Sequence, residues 1–569
     1  MNGHSARGSA PRDVHPGGTG RRSAGARRPP AAAALRRGRV ALPALVLLAV
    51  AALGTVAWAS RPGAPAAGRP LPQRAQVTSA TRICPVPPAA GNGTRIATFS
   101  AAAAGIPAAQ AGGQSQGSGQ ANGHSHASGQ GQASGQGQAS GRGQASGQGQ
   151  ATAQGQGAQL TALGGSGPPL QQLAQPGRLW FYSASGHESS ARHGGAQAPV
   201  AVTATGAMAR GLEVEETTFP PGGSGAFTGL RCSQPGTDFW FAAPGQASAG
   251  SIELYLLNPG SQAASADVDI YTDSGPLQGD ADTGLTVPPG GRLVQAVDRL
   301  TPGSRALALH VRTTAGRVMA ALQAGGGSGS WLPASGQPAT SQVIPGLPAD
   351  GGGRRLYLAA PGGSDADVSV QAIGPNGEYQ PTGGSGIDVP AGTAASVDLP
   401  SMNGVAAALR VTSNVPVAAG LMAGGGYDSA AGPIAEQSVA ADNASGHGYS
   451  TTLVLSAPAT AARVAVSTAS TYGVSATPAG SGPSPTSGSP PGQVVTIPAG
   501  HSTSMKIAGP RGGSGGFAIA VTPLAGSGPV YAGRVLSGPG GAQTIMPMAD
   551  APSWVPLPAV AGSLTAVMP

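Results

Sequence analysis

Ile252-Glu253-Leu254-Tyr255-Leu256-Leu257-Asn258-Pro259-Gly260 is the stretch on which the fold turns. It is a short apolar run stopped by Asn-Pro-Gly, the composition of a strand ending at a tight turn. Alternation follows at Ala266, Val268 and Ile270, then Val287-Pro288-Pro289-Gly290. Two more apolar runs close the pattern, Ala306-Leu307-Ala308-Leu309-His310-Val311 and Gly316-Arg317-Val318-Met319-Ala320-Ala321-Leu322. Apolar-polar alternation over short runs bounded by Gly, Pro and Asn is the mark of half-buried antiparallel strands.

The same order returns twice. A second copy opens at Arg355-Leu356-Tyr357-Leu358-Ala359-Ala360-Pro361-Gly362 and keeps Ala366, Val368, Val370 and Val389-Pro390-Ala391-Gly392. A third, more worn, begins near Thr452-Leu453-Val454-Leu455 and keeps Val464, Val466 and Ile497-Pro498-Ala499-Gly500. Gly290, Gly392 and Gly500 stand 102 and then 108 residues apart, so the repeating unit is about a hundred residues. Asn376-Gly377 supplies a hairpin turn, because it tolerates the positive φ that tight reversals need. The expected fold is all-β, with tandem immunoglobulin-like β-sandwich modules. The alternative is a β-propeller-like arrangement, whose blades of roughly 40–50 residues fit the unit only loosely.

These patterns set the expected boundaries. Residues 1–39 form a disordered basic cytoplasmic tail, 40–59 a transmembrane signal-anchor helix and 60–78 a linker. Residues 79–236 form a divergent β module with a disordered Gly/Gln/Ser insertion at 109–157. Sandwich repeats occupy 237–345, 346–435 and 436–569, the last with a terminal strand starting at Trp554. In the insertion, near-perfect copies of Ser-Gly-Gln-Gly-Gln-Ala run from Ser128 to Ala151 with no apolar side chain larger than alanine. Such a tract has nothing to bury.

Val40 to Ala59 is uncharged and follows a segment with nine arginines and one acidic residue, Asp13. That length at helical rise covers a bilayer core, and the arginines hold their end in the cytoplasm. The expected location is therefore the cell membrane, single-pass, with the bulk of the chain extracytoplasmic. Ala57-Trp58-Ala59 fits a small-x-small cleavage site, so release after Ala59 is the alternative. The net charge of +8 resides wholly in the tail, and the rest balances at 22 basic against 22 acidic residues. No nucleic-acid partner is expected, since a reader of nucleic acid carries its basic patch on the folded part. The 95 glycines and 53 prolines, about a quarter of 569 residues, together with 9% charged residues, argue against long amphipathic helices.

Cys84 and Cys232 are the only cysteines. An even count without Cys-x-x-Cys spacing in an exported chain favours a disulfide. The bridge would close a loop of about 150 residues, worth roughly 5 kcal/mol in the chain-entropy account.

No motif assembles into an active site. Gly113-Gln114-Ser115-Gln116-Gly117 and Gly512-Gly513-Ser514-Gly515-Gly516 match a nucleophile elbow in letters only, lacking its strand-turn-helix setting. Asp267, Asp269 and Asp273 lack a calcium-loop glycine and read as the solvated face of a strand. His124 and His126 lie within the glutamine-rich tract. No catalytic residue, metal ligand or cofactor is expected. Aromatic residues concentrate at Trp180-Phe181-Tyr182 and at Phe239-Trp240-Phe241. Core anchorage is their first reading; Trp180, Phe181, Tyr182, Phe239 and Trp240 are the candidates for a ligand platform.

Two further stretches stand out, Gly206-Ala207-Met208-Ala209-Arg210-Gly211-Leu212-Glu213, and Cys232 to Pro235 followed by Thr237-Asp238-Phe239-Trp240-Phe241. By these the chain resembles an actinobacterial family of exported, membrane-anchored proteins, domain of unknown function 5719. Gly284-Leu285-Thr286-Val287-Pro288-Pro289-Gly290, Trp331-Leu332-Pro333 and the closing Leu564-Thr565-Ala566-Val567-Met568-Pro569 add to the resemblance. It covers roughly residues 40–569, and the glutamine-rich tract departs from the family pattern. The resemblance implies envelope location and topology and transfers no catalytic residue. The functional expectation is a non-enzymatic, membrane-tethered envelope protein that binds or scaffolds wall-associated proteins or glycan. The alternative is an accessory subunit or enzyme acting on envelope polysaccharide, using the aromatic clusters and unpaired carboxylates at Glu213, Glu215 and Glu216.

Overall fold

Nearly every described segment is a strand, as the short alternating runs require. The computed structural model describes residues 74–86, 93–101, 157–183, 198–219, 227–277, 283–325, 329–349, 353–399, 402–475, 492–510 and 516–557. The expected tail (1–39), the expected membrane span (40–59) and all of the insertion except Gly157 lie outside them. Among the described residues no helix is long and apolar enough to cross a membrane.

After β1 (Arg74–Gln76), the strands fall into four modules. The first holds β2 (Ser79–Cys84), β3 (Gly93–Ser100), β4 (Ala158–Ala162), β5 (Gln171–Leu173), β6 (Leu179–Ser183), β7 (Val200–Thr205), β8 (Leu212–Phe219) and β9 (Thr228–Arg231). The second holds β10 (Asp238–Pro244), β11 (Ile252–Leu257), β12 (Ala264–Thr272), β13 (Gly275–Pro276), β14 (Leu285–Val287), β15 (Arg292–Ala296), β16 (Ala306–Ala315), β17 (Met319–Ala324) and β18 (Ser330–Leu332). The third holds β19 (Ala339–Leu347), β20 (Arg354–Ala360), β21 (Ala366–Gly374), β22 (Gly377–Tyr379), β23 (Ile387–Val389), β24 (Thr393–Leu399), β25 (Ala407–Ala423) and β26 (Gly426–Ser429). The fourth holds β27 (Ser438–Asn443), β28 (Ser450–Ala457), β29 (Ala462–Ser470), β30 (Gly473–Ser475), β31 (Gln493–Ile497), β32 (His501–Ile507), β33 (Phe517–Pro523), β34 (Tyr531–Ser537) and β35 (Gln543–Met548). A last strand, β36 (Trp554–Pro556), pairs antiparallel with β1.

All four modules share one strand order. In the second, β10-β16-β12 with β14 forms one sheet and β15-β11-β17-β18 the other. In the first, β2-β7-β4-β5 faces β6-β3-β8-β9. The third obeys the same order, but β25 runs unbroken from one sheet into the other. In the fourth, β27-β33-β29 faces β32-β28-β34-β35. Each pair of sheets encloses its own apolar cluster; Leu254 and Leu256 of β11 meet Val268 and Ile270 of β12 in the second module. The leading strand of each module makes one isolated bridge to the segment after its last strand: Ile83 to Ser233, Trp240 to Ser335, Val343 to Ala431 and Ser438 to Asp550.

The outer faces of these sheets are apolar too, and they bring the modules together. Ile83 and Leu230 of the first module pack with Tyr255, Met319 and Trp331 of the second. Trp240 and Ala308 of the second pack with Tyr357 and Ala418 of the third. Val343 and Ala408 of the third pack with Tyr531 of the fourth. Val439, Ala441 and Ala520 of the fourth pack with Ala97 and Phe99 of the first. The four modules thus close into a ring, with the short strands β9, β18, β26 and β35 touching in turn.

Two expected boundaries shift. Arg74–Gln76 of the linker is a strand, because β36 returns to pair with it. The break expected after residue 345 falls inside β19, which pairs with β25, so Ala339 onward belongs to the third module. The expected terminal strand is present at Trp554–Pro556, and residues 558–569 lie outside the described residues.

Close approach at the seams demands glycine. A Cβ added at Gly533 would lie 2.3 Å from the Gly346 Cα across the seam between the third and fourth modules. Gly533→Ala should therefore cost roughly 1–3 kcal/mol, the usual range for overpacking. Gly362→Ala, where nothing lies within 4 Å, should stay within about 0.5 kcal/mol of wild type in denaturant titration. Equal effects of the two would refute the seam.

Candidate functional site

A cleft of about 770 Å³ opens where the first module meets the second. One wall is β2 at residues 79–81; the others are Gln234, the turn from Asn258 to Ala263 and the turn at 315–317. Asn258 shapes the turn between β11 and β12. It is buried, its Nδ2 donates to the Gln262 and Val287 carbonyls (2.7 and 3.1 Å), and its Oδ1 accepts the Gly260 N–H at 2.8 Å. This is why the Asn-Pro-Gly stop holds its shape. Arg317 is exposed on the wall, which among the described residues carries no carboxylate and no aromatic ring. Arg82, behind the wall, donates to the Thr81 carbonyl at 3.2 Å and to Gln234 at 3.5 Å, and burial pulls its pKa down to about 10.

Cys84 and Cys232 form the expected disulfide, with both residues fully buried and a Cα–Cα distance of 4.7 Å. It ties β2 to the segment that leaves β9, beside the Ile83 N–H to Ser233 O bond of 2.9 Å. Glu216 lies in the same interior. Its Oε2 accepts the Val86 N–H at 2.9 Å, while its Oε1 has no hydrogen-bond partner among the described residues. Burial pushes this carboxyl up to about 7.

Glu213 and Glu215 are not the unpaired carboxylates the sequence suggested. Strand alternation points both out of the first module, into the seam with the fourth. Glu213 takes Arg231 in a fork, Nε to Oε1 at 2.5 Å and Nη2 to Oε2 at 2.6 Å. Glu215 accepts the N–H groups of Ala441 and Asp442 at 2.8 and 2.9 Å and Nη2 of Arg534 at 3.2 Å. Burial raises Glu215 to about 7 against the pull of Arg534. Arg95 pairs with Asp442 across the same seam and covers the rings of Phe181 and Phe219. The one signal for Arg534 was an arginine between apolar neighbours in Ala532-Gly533-Arg534-Val535-Leu536.

The aromatic runs do not form a shared platform. Trp180 and Tyr182 pack on the core of the first module, whereas Phe181 turns to the seam with the fourth. Phe239 packs on the core of the second module. Trp240 is buried in the next seam, with His310 stacked on it at 4.0 Å. His310 also meets Asp238 at 3.2 Å and Asp269 at 3.4 Å, and Arg312 pairs with Asp269 at 3.0 Å. Asp269 of the aspartate row is thus engaged by cross-strand partners, while Asp267 and Asp273 accept the Gly284 and Arg305 N–H groups at 2.8 and 3.2 Å. Among the described residues no group of three or more His, Cys, Asp or Glu could hold a metal.

A carboxyl whose folded pKa is raised takes up a proton on folding, so its stabilisation is complete below its ordinary range and is lost as pH rises toward 7. For Glu216 the shift from 4.5 to about 7 corresponds to roughly 3 kcal/mol. Glu216→Gln removes that share, so wild type should lose stability relative to the variant between about pH 4 and pH 8. Urea titrations across that window measure it; a constant difference would show that the Glu216 pKa is the same folded and unfolded.

No curated protein and no solved structure shows significant similarity to the chain. The chain matches a family described as a family of unknown function, DUF5719, over residues 188–479. That span begins in the first module, takes in the second and third and ends within the fourth. It covers just over half of the chain, and the chain belongs to this family.

Proposed function

We propose that the chain is a non-enzymatic, membrane-tethered protein of the actinobacterial cell envelope, holding wall-associated proteins or glycan on a closed ring of modules. The observation that carries the extracytoplasmic reading is the buried Cys84–Cys232 bridge, since structural disulfides persist in oxidising compartments. The uncharged run from Val40 to Ala59 behind an arginine-rich segment supports the tether. The engagement of Glu213 and Glu215 in seam ion pairs favours a scaffold over the polysaccharide-enzyme alternative, which needs two facing, accessible carboxylates. We read each module as an immunoglobulin-like sandwich, with the eight main sheets set around the ring in a propeller-like way. The pairings β11–β15 and β12–β16 support this, because they match the B–E and C–F pairings of immunoglobulin domains. The flanking strands exchange sides, with β10 on β16 and β17 on β11.

Two measurements test the proposal in intact cells. Membrane fractionation should find the full chain in the membrane, and a version with residues 40–59 replaced by a cleavable signal in the medium. Alkylation under denaturing conditions without reductant should label neither cysteine. A chain found in the cytosol with both thiols labelled would sink the reading.

A further inference from the structure

The extended run from Arg74 to Cys84 is paired on one edge from Thr78 onward, and its other edge is covered at both ends. Along β2 the inner edge pairs with β7. On the opposite edge β1 takes β36, the Val77 N–H donates to the Ser553 carbonyl at 2.9 Å, and the Ile83 N–H donates to Ser233 at 2.9 Å. Val77 and Ile83 share the parity of Ser79 and Thr81, so the N–H groups of those two residues face the same side. Among the described residues no backbone group reaches them there, and the Thr81 carbonyl takes only Nη1 of Arg82. This gap in a covered edge opens into the cleft that also carries Arg317.

We propose that the cleft binds an extended acidic peptide, which adds as a short strand to β2 at Ser79 and Thr81 and sets a carboxylate on Arg317. An uncovered strand edge gives main-chain hydrogen bonds to an extended chain. A guanidinium in a wall without carboxylates selects an anion. The wall lacks the aromatic face on which a sugar ring would stack, while Gln234 and Gln262 supply amides suited to a peptide's remaining polar groups. Recession into a cleft also protects this edge from the indiscriminate pairing that exposed strands suffer. The inference adds a partner class and a site to the scaffold reading and does not depend on the membrane tether.

The test uses the full-length chain in detergent with an acetylated Thr-Val-Thr-Glu peptide as probe, read by hydrogen–deuterium exchange and by titration. The expected result is saturable protection confined to the segment around 79–81. Arg317→Gln, a change at an exposed side chain, should weaken binding about tenfold or more. Methylating the peptide's alternate backbone nitrogens should abolish it while leaving the side chains intact. Equal binding of the methylated peptide, unchanged binding by Arg317→Gln, or binding of an oligogalacturonate trimer in the peptide's place would each overturn the proposal.

Discussion

Glu215 starts in the first module and makes its bonds in the fourth, and the ring depends on that crossing. Taking a carboxylate out of water is costly unless its partners replace the lost solvation. Here two N–H groups of β27 and the guanidinium of the wholly buried Arg534 replace part of it, and burial still raises Glu215 to about 7. Removing one member of such a pair strands the other, a loss of about 3–5 kcal/mol in comparable cases. This seam joins the two ends of the described chain, so its strength decides whether four modules make a ring or an open row. Glu436 adds to it by accepting the Ser553 and Trp554 N–H groups, which delivers β36 to β1.

The unusual composition follows from the same architecture. A ring of stacked sheets buries both faces of many strands: every residue of β17 and of β27 is buried. Two large side chains cannot stand back to back where sheets approach closely, so the seam between the second and third modules is built mainly from alanine. Ala242, Ala306, Ala308, Ala359, Ala394 and Ala418 fill one seam around Trp240 and Tyr357. Charged residues are scarce because little strand surface faces water, and in the seam between the first and fourth modules Glu213, Glu215 and Arg95 have charged partners.

The strands, their turns and the hundred-residue unit were legible in the sequence because they are local. Ile252–Leu257 and Asn258-Pro259-Gly260 are where alternation and turn chemistry placed them, and the two lone cysteines are joined. Ring closure was not legible, although one trace of it was present. Runs such as Val318-Met319-Ala320-Ala321-Leu322 are apolar at consecutive positions, which a half-buried strand does not need and a strand buried on both faces does. The first module hid its kinship with the repeats because the glutamine-rich tract separates β3 from β4. Trp180-Phe181-Tyr182 suggested a common surface, but strand alternation sends neighbours to opposite faces. Glu213 and Glu215 were misjudged for a related reason: their partners Arg231 and Arg534 lie 18 and 319 residues away, out of reach of local pattern.

Closure at the seam between the first and fourth modules is tested most directly by a crosslink. Ala75 and Val555 are register partners in the β1–β36 pair. Full-length chain carrying Ala75→Cys and Val555→Cys, oxidised in dilute solution and mapped by mass spectrometry, should yield an intramolecular disulfide between these two positions beside the native Cys84–Cys232 bridge. Free thiols at both substituted positions, or bridges only between molecules, would contradict a closed ring.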